Sequence, residues 1–117
     1  MDPIEQPALA EALDRMWAEY LPQMKERVAV LEAAASAFAA NTLTLHEHAQ
    51  ANDAAHKLAG VLGTFGLTKG TVLARELEIM YSRENGPDPA LGERLISIAA
   101  ELREMIDSRK PSSPSHE

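Results

Sequence analysis

The sequence contains no cysteine, which rules out disulfide frameworks, thiolate metal sites and thiol redox chemistry. Aromatic residues are scarce, with one Trp, two Tyr and two Phe in 117 residues. Alternating β-branched runs are missing as well, so almost nothing in the chain signals a strand. No segment supplies about 18 uninterrupted apolar residues, which removes a membrane-spanning helix. The opening Met1-Asp2-Pro3-Ile4-Glu5 lacks the basic and apolar regions of a secretory signal. Eleven Lys and Arg stand against eighteen Asp and Glu, a formal net charge of −7. That balance argues against nucleic acid, because affinity for a phosphate backbone comes mostly from clustered cations. There is no G-x-x-x-x-G-K-[ST] run and no glycine-rich loop after a strand, so no ATP site is expected. These absences leave the expectation of a soluble, cytoplasmic, all-α protein, with 45% apolar residues to build one core without metal or disulfide support.

What is present is helical spacing. Leu9, Leu13, Met16, Trp17 and Tyr20 form a first stripe, with Pro7 acceptable in its opening turn and Pro22 marking a bend or restart. From Met24 the series Val28, Leu31, Ala35 and Phe38 steps by four and three until Asn41-Thr42, a plausible stop. Thr44 and Glu47 have the spacing of a capping box that opens a third helix, and Gly66 is placed to end it in the left-handed conformation. Thr68 can cap the next stripe, Leu73, Leu77 and Met80, which Asn85-Gly86-Pro87 ends. Asp88 before Pro89 starts the last helix, striped by Leu91, Leu95, Ile98, Leu102 and Met105. The spacing predicts an antiparallel four-helix bundle with an additional N-terminal helix over residues 1–109, and a polar, proline-rich mobile tail over 110–117. Trp17, Met16, Met24, Met80 and Met105 belong to core stripes on this reading.

One helix face stands apart. On the wheel Ala51, Ala54, Ala55, Leu58, Val61, Leu62 and Phe65 gather on a core side, and His56 falls opposite. Its neighbours three, four and seven residues away are Ala49, Asn52, Asp53, Ala59, Gly60 and Gly63, all small or short. Glycine inside a helix costs about 1 kcal/mol relative to alanine, so two glycines beside one histidine call for an access reason: Gly60 and Gly63 would let another protein's backbone reach the imidazole. His46 and His48 point about 200° apart on a helix and do not share a metal, and His48, Asn52 and His56 supply no carboxylate, so no metal site is expected.

The run Ala55, His56, Leu58, Gly60 and Gly66 resembles the motif of histidine-containing phosphotransfer (HPt) domains, A-H-x-L-K-G followed by five residues and G. Leu77-Glu78 is similar to the L-E or L-Q pair on that family's next helix, and the resemblance covers residues 8 to 106. It implies that His56 is a phosphoacceptor for an aspartyl phosphate on a response-regulator receiver domain, and that Glu78 orients the ring through its inner nitrogen. It further implies a phosphorelay intermediate fed by a hybrid histidine kinase, without catalysis of its own. The chain would be monomeric and carry no cofactor, the Mg²⁺ of the reaction residing on the receiver. An unperturbed imidazole, with a pKa near ~6.5, is nucleophilic without a base if one nitrogen is held as a donor and the other faces outward. The motif departs at one position: Ala59 stands where the family has lysine, and Lys57 lies about 100° away round the helix.

Asn52, Lys57, Ala59, Gly60, Gly63 and Lys69 are the candidate partner contacts, with Lys57 and Lys69 able to attract an acidic rim. Asp53 is rim only, since it would repel a phosphohistidine. Glu78 has an equally ordinary reading as an exposed helix glutamate near Ser82. Two other readings of the chain stay open: a bundle that docks a receiver or kinase without being phosphorylated, and a structural adaptor that dimerises through apolar stripe. Met1 and the polar tail favour a free-standing protein over a domain of a larger kinase.

Overall fold

Local capping chemistry sets the helix boundaries. The computed structural model describes residues 5–82 and 88–110, with side chains from residue 8 onward. It contains α1 (Glu5–Ala39), α2 (Leu45–Thr64), α3 (Thr68–Ser82) and α4 (Gly92–Ser108), with a 3-10 turn at Pro89–Leu91 before α4. No strand occurs among the described residues, and the chain is all-α as expected.

Each predicted stop or start has a specific bond behind it. After α1, Thr42 N–H donates to Ala37 O at 2.8 Å and Asn41 N–H to Phe38 O at 3.0 Å, with Asn41 in the left-handed region at φ 57. Asparagine takes the role usually left to glycine there. At the start of α2, Glu47 N–H donates to Thr44 Oγ1 at 3.1 Å while Thr44 N–H donates to Glu47 Oε1 at 2.9 Å, the expected capping box. The Thr44 backbone bond, with help from its hydroxyl, holds the Glu47 carboxyl below its ordinary pKa. Gly66, at φ 72, ends α2 with bonds from Gly66 N–H to Gly63 O and from Leu67 N–H to Leu62 O. Thr68 turns out to lie inside α3, because Thr71 N–H already bonds to Leu67 O at 3.0 Å and makes Leu67 the boundary residue. Asp88 accepts from Ala90 N–H at 2.9 Å and caps the 3-10 turn that runs on into α4. The Asn85-Gly86-Pro87 stop and residues 111–117 of the predicted tail lie outside the described residues.

The additional N-terminal helix is corrected by the structure: it and the following helix are one 35-residue α1 that passes through Pro22. Pro22 removes the N–H that would bond to Ala18 O. Both residues are exposed, so water can serve the freed carbonyl, while Trp17 and Met24 on either side are buried and hold the two halves in line. At 1.5 Å per residue α1 is about 52 Å long, which matches the 53 Å long dimension of the molecule. Its first turns therefore run past the shorter helices.

Each helix packs on the next, and α4 closes back on α1. The core is apolar throughout, with Met24, Val28, Leu58, Leu62, Leu95, Ile98 and Leu102 wholly enclosed and no buried charge among the described residues. Full burial of each such side chain stabilises by about 1.5–3 kcal/mol. Salt bridges brace the seams from outside, Glu32–Arg103 between α1 and α4 and Glu76–Arg94 between α3 and α4. At one end Phe65 meets Trp17 edge-on at 5.1 Å, and the Arg109 guanidinium lies 4.7 Å above Trp17. Met16 departs from the core reading: it is 36% exposed, because it faces an open groove between α1 and α2.

Two outcomes follow for stability. Pro22→Ala should stabilise the fold, by up to about 3 kcal/mol from helix propensity, seen as a higher urea midpoint; an unchanged midpoint would count against an uninterrupted α1. Tyr81 is buried with its hydroxyl unpartnered, and burial pushes its pKa from 10 up to about 12. The unfolded chain loses that proton near pH 10 and the folded chain only near 12, so stability should fall as pH rises through this interval. Tyr81→Phe should change neutral-pH stability by no more than about 1 kcal/mol and flatten the alkaline decline. Melts of both proteins across that range check it.

Candidate functional site

α2 is flanked by α1 on one side and α3 on the other, which leaves a strip of its surface open to solvent. His56 lies on that strip in the fourth turn, its side chain 68% exposed. Its Nδ1 is 2.7 Å from Glu78 Oε2 of α3. An ionised carboxylate can only accept, so the proton of a neutral ring sits on Nδ1 and Nε2 keeps its lone pair. Glu78 is the less exposed partner at 26%, which shields this bond while the ring stays accessible. The arrangement is an imidazole anchored at one nitrogen and free at the other.

The wheel's neighbours of His56 separate into three groups. Gly60 stays on the open strip, and a Cβ added there would meet nothing within 4 Å. Gly63 is also exposed, at the α3 edge of the strip, where a Cβ would sit 3.4 Å from Thr71 Oγ1. Ala59 is corrected: it is 2% exposed, packed in the core, and offers no side chain to a partner. Its backbone carbonyl is engaged instead, accepting from Thr71 Oγ1 at 3.1 Å. Asn52 is likewise drawn inward, its Nδ2 donating to Glu78 O at 2.8 Å.

The candidate lysines also differ from each other. Lys57 pairs with Asp53 at 2.9 Å, one turn away on the open strip beside His56. Lys69, the other candidate partner contact, is not brought to His56: it reaches across to Glu101 of α4 at 3.4 Å. Nine residues separate it from Glu78, which places it about 180° round α3. His46 is exposed, whereas the His48 ring packs against Tyr81 at 5.8 Å with Nε2 buried and unpartnered. No group of three or more His, Asp or Glu positioned for a metal ion occurs among the described residues.

A groove of about 460 Å³ opens beside His56 between α1 and α2. Met16, Tyr20, Gln23 and Arg27 form its α1 wall, and Lys57, Gly60, Val61 and Phe65 its α2 wall. The sequence reading missed the α1 wall, because the stripe containing Met16 and Tyr20 reads as core and Arg27 carries no motif. Partly exposed aromatic and apolar side chains and two cations thus lie next to an accessible imidazole.

The two glycines that differ most in surroundings give a direct check. Gly60→Ala should stabilise by about 0.5–1 kcal/mol, since nothing opposes the gain in helix propensity. Gly70→Ala should destabilise, because its Cβ would lie 3.0 Å from Leu62 Cδ1 in the α2–α3 contact. Thermal melts of the two variants moving in the same direction would contradict this placement.

The chain matches the family model described as Hpt domain over residues 15–110. It is 33% identical over 95 residues to Protein RcaC of Microchaete diplosiphon, an alignment that takes in 81% of this chain and 15% of that protein. The chain therefore spans well under a quarter of that relative's length. No solved structure gives a significant match. Hpt domains are phosphotransfer modules that work with receiver domains and histidine kinases in the phosphorelays of two-component signalling. The matched residues include α2 to α4 entire and most of α1, with the His56–Glu78 pair inside them, and the chain belongs to the Hpt domain family.

Proposed function

We propose that this chain accepts a phosphoryl group on His56 from the aspartyl phosphate of one receiver domain and yields it to the aspartate of another. The observation that carries this reading is the ring held at Nδ1 by Glu78 with Nε2 exposed beside an open groove. The Nε2 lone pair attacks phosphorus, the N–P bond forms, and the bond from phosphorus to the receiver's aspartyl oxygen breaks. That oxygen leaves with the electron pair as a carboxylate. The ring now carries positive charge, which the Glu78 carboxylate stabilises through the Nδ1 proton. In the second half an aspartate oxygen of the next receiver attacks phosphorus, the N–P bond breaks, and the neutral imidazole returns.

The remaining parts of phosphoryl transfer belong to the partner in this proposal: the receiver holds Mg²⁺, and the chain carries neither a cofactor nor an ATP site. Gly60 lets the receiver's backbone approach, while Arg27 and Lys57 line the groove beside the ring. The module acts as a monomer, with a hybrid histidine kinase upstream of the donating receiver. Its burial takes Ala59 out of the contact surface, so the lysine usual at that motif position has no counterpart in this scheme.

The test is transfer from a panel of phosphorylated receivers to the purified protein, scored as an acid-labile, alkali-stable adduct. His56→Ala should abolish the label, and ATP alone should give none. Gly60→Arg should slow transfer at least about tenfold, equivalent to about 1.4 kcal/mol, while its melting stays near that of the parent. Binding of receivers without any label would instead favour a docking module that is not phosphorylated.

A further inference from the structure

Asn52 lies one turn before His56, yet its side chain turns to α3 and its Nδ2 donates to the backbone oxygen of Glu78 at 2.8 Å. The residue whose carboxylate holds the imidazole is thus itself held by its main chain. A helical carbonyl has a second lone pair available beyond its bond to the i+4 amide, so this contact costs α3 nothing. It spans the seam between two separate helices and is partly buried, which limits competition from water. A second bond across the same seam, Thr71 Oγ1 to Ala59 O at 3.1 Å, lies seven residues along each helix in the antiparallel sense. The Thr71 bond sets helix register in general, whereas the Asn52 bond holds the residue that bonds to the His56 ring.

We propose that Asn52 is a positioning residue: by gripping the Glu78 carbonyl it fixes where the Glu78 carboxylate stands, and so keeps the proton of His56 on Nδ1. A displaced carboxylate releases the ring to the preference of free imidazole, in which the proton resides mainly on Nε2 and the outward lone pair is lost. The inference deepens the proposed transfer reaction and rests on it for its kinetic consequence alone. The tautomer is a property of the unphosphorylated protein.

The experiment is nitrogen NMR of ¹⁵N-histidine-labelled full chain, at a pH where the ring is neutral, for the parent, Asn52→Ala and Thr71→Val. The expected result is a His56 ring protonated at Nδ1 in the parent and in Thr71→Val, and a shift toward the free-imidazole mixture in Asn52→Ala. With a cognate receiver, Asn52→Ala should then transfer more slowly by on the order of tenfold, the scale that small misplacements reach. Asn52→Ser, too short to span the seam, is read the same way if Asn52→Ala loses its cooperative melt. An unchanged tautomer in the Asn52 variant overturns the proposal. Equal shifts in the Asn52 and Thr71 variants also overturn it, because they show a loosened seam without a specific grip. A parent already at the free-imidazole mixture overturns it too. Failure of every receiver to label a parent with the Nδ1 tautomer would remove the proposed function and leave the positioning role standing.

Discussion

The contact between α2 and α3 governs everything else at the site, because the His56 ring stands on one helix and the carboxylate bonded to its Nδ1 on the other. Small residues set how close the two come: Ala51, Ala55 and Ala59 on α2, and Gly70 and Ala74 on α3, are all buried. At Gly70 even a methyl group would meet Leu62 within 3.0 Å. Such an approach brings short polar side chains within reach of the opposite backbone, which is how Asn52 and Thr71 find carbonyl partners in another helix. A wider separation, as leucines along the seam would impose, would leave these bonds and the His56–Glu78 pair unmade.

The same economy explains how so small a chain can serve a chemically demanding reaction. Phosphoryl transfer needs positioning and charge compensation. In the proposed reaction the bundle would supply the first through the Glu78 carboxylate and leave most of the second to the docked receiver. An exposed imidazole incurs little desolvation, so the core can remain free of buried charge and the site does not compete with folding. The cations nearest the ring, Lys57 and Arg27, lie on groove walls open to a partner.

Turn chemistry was legible in the sequence because it is local. Thr44 with Glu47, Asn41, Gly66 and Asp88 before Pro89 each make their bonds within five residues, and their meaning survives without knowledge of the tertiary structure. Pro22 misleads for the opposite reason: its local penalty is real, but distant packing at Trp17 and Met24 overrides it. The wheel found the open strip around His56 and Gly60, yet it measures angle only. It could not say that α3 would cover Ala59, engage Asn52 and face Gly63, or that Lys69 would lie on the α4 side. Glu78 was reachable through the family resemblance, whereas its 2.7 Å bond depends on a helix register that no stretch of sequence states by itself.

Pro22 leaves α1 continuous in shape and uneven in resistance to fluctuation. Beyond it, Met24, Val28, Leu31, Ala34 and Ala35 are all anchored in the core; ahead of it, Trp17 is the sole buried anchor among the described side chains. The Asp14–Arg109 ion pair at 3.3 Å and the Tyr20–Phe65 ring contact add to that anchor, but one backbone bond is missing at the segment's base, and partial opening costs less there than beyond Pro22. Met16 and Tyr20 belong to that segment, while the facing residues of α2 sit on a helix packed from both sides. The groove beside His56 thus has one firm bank and one more compliant bank, and in the proposed transfer reaction this difference would let it fit receivers of differing contour without disturbing the ring.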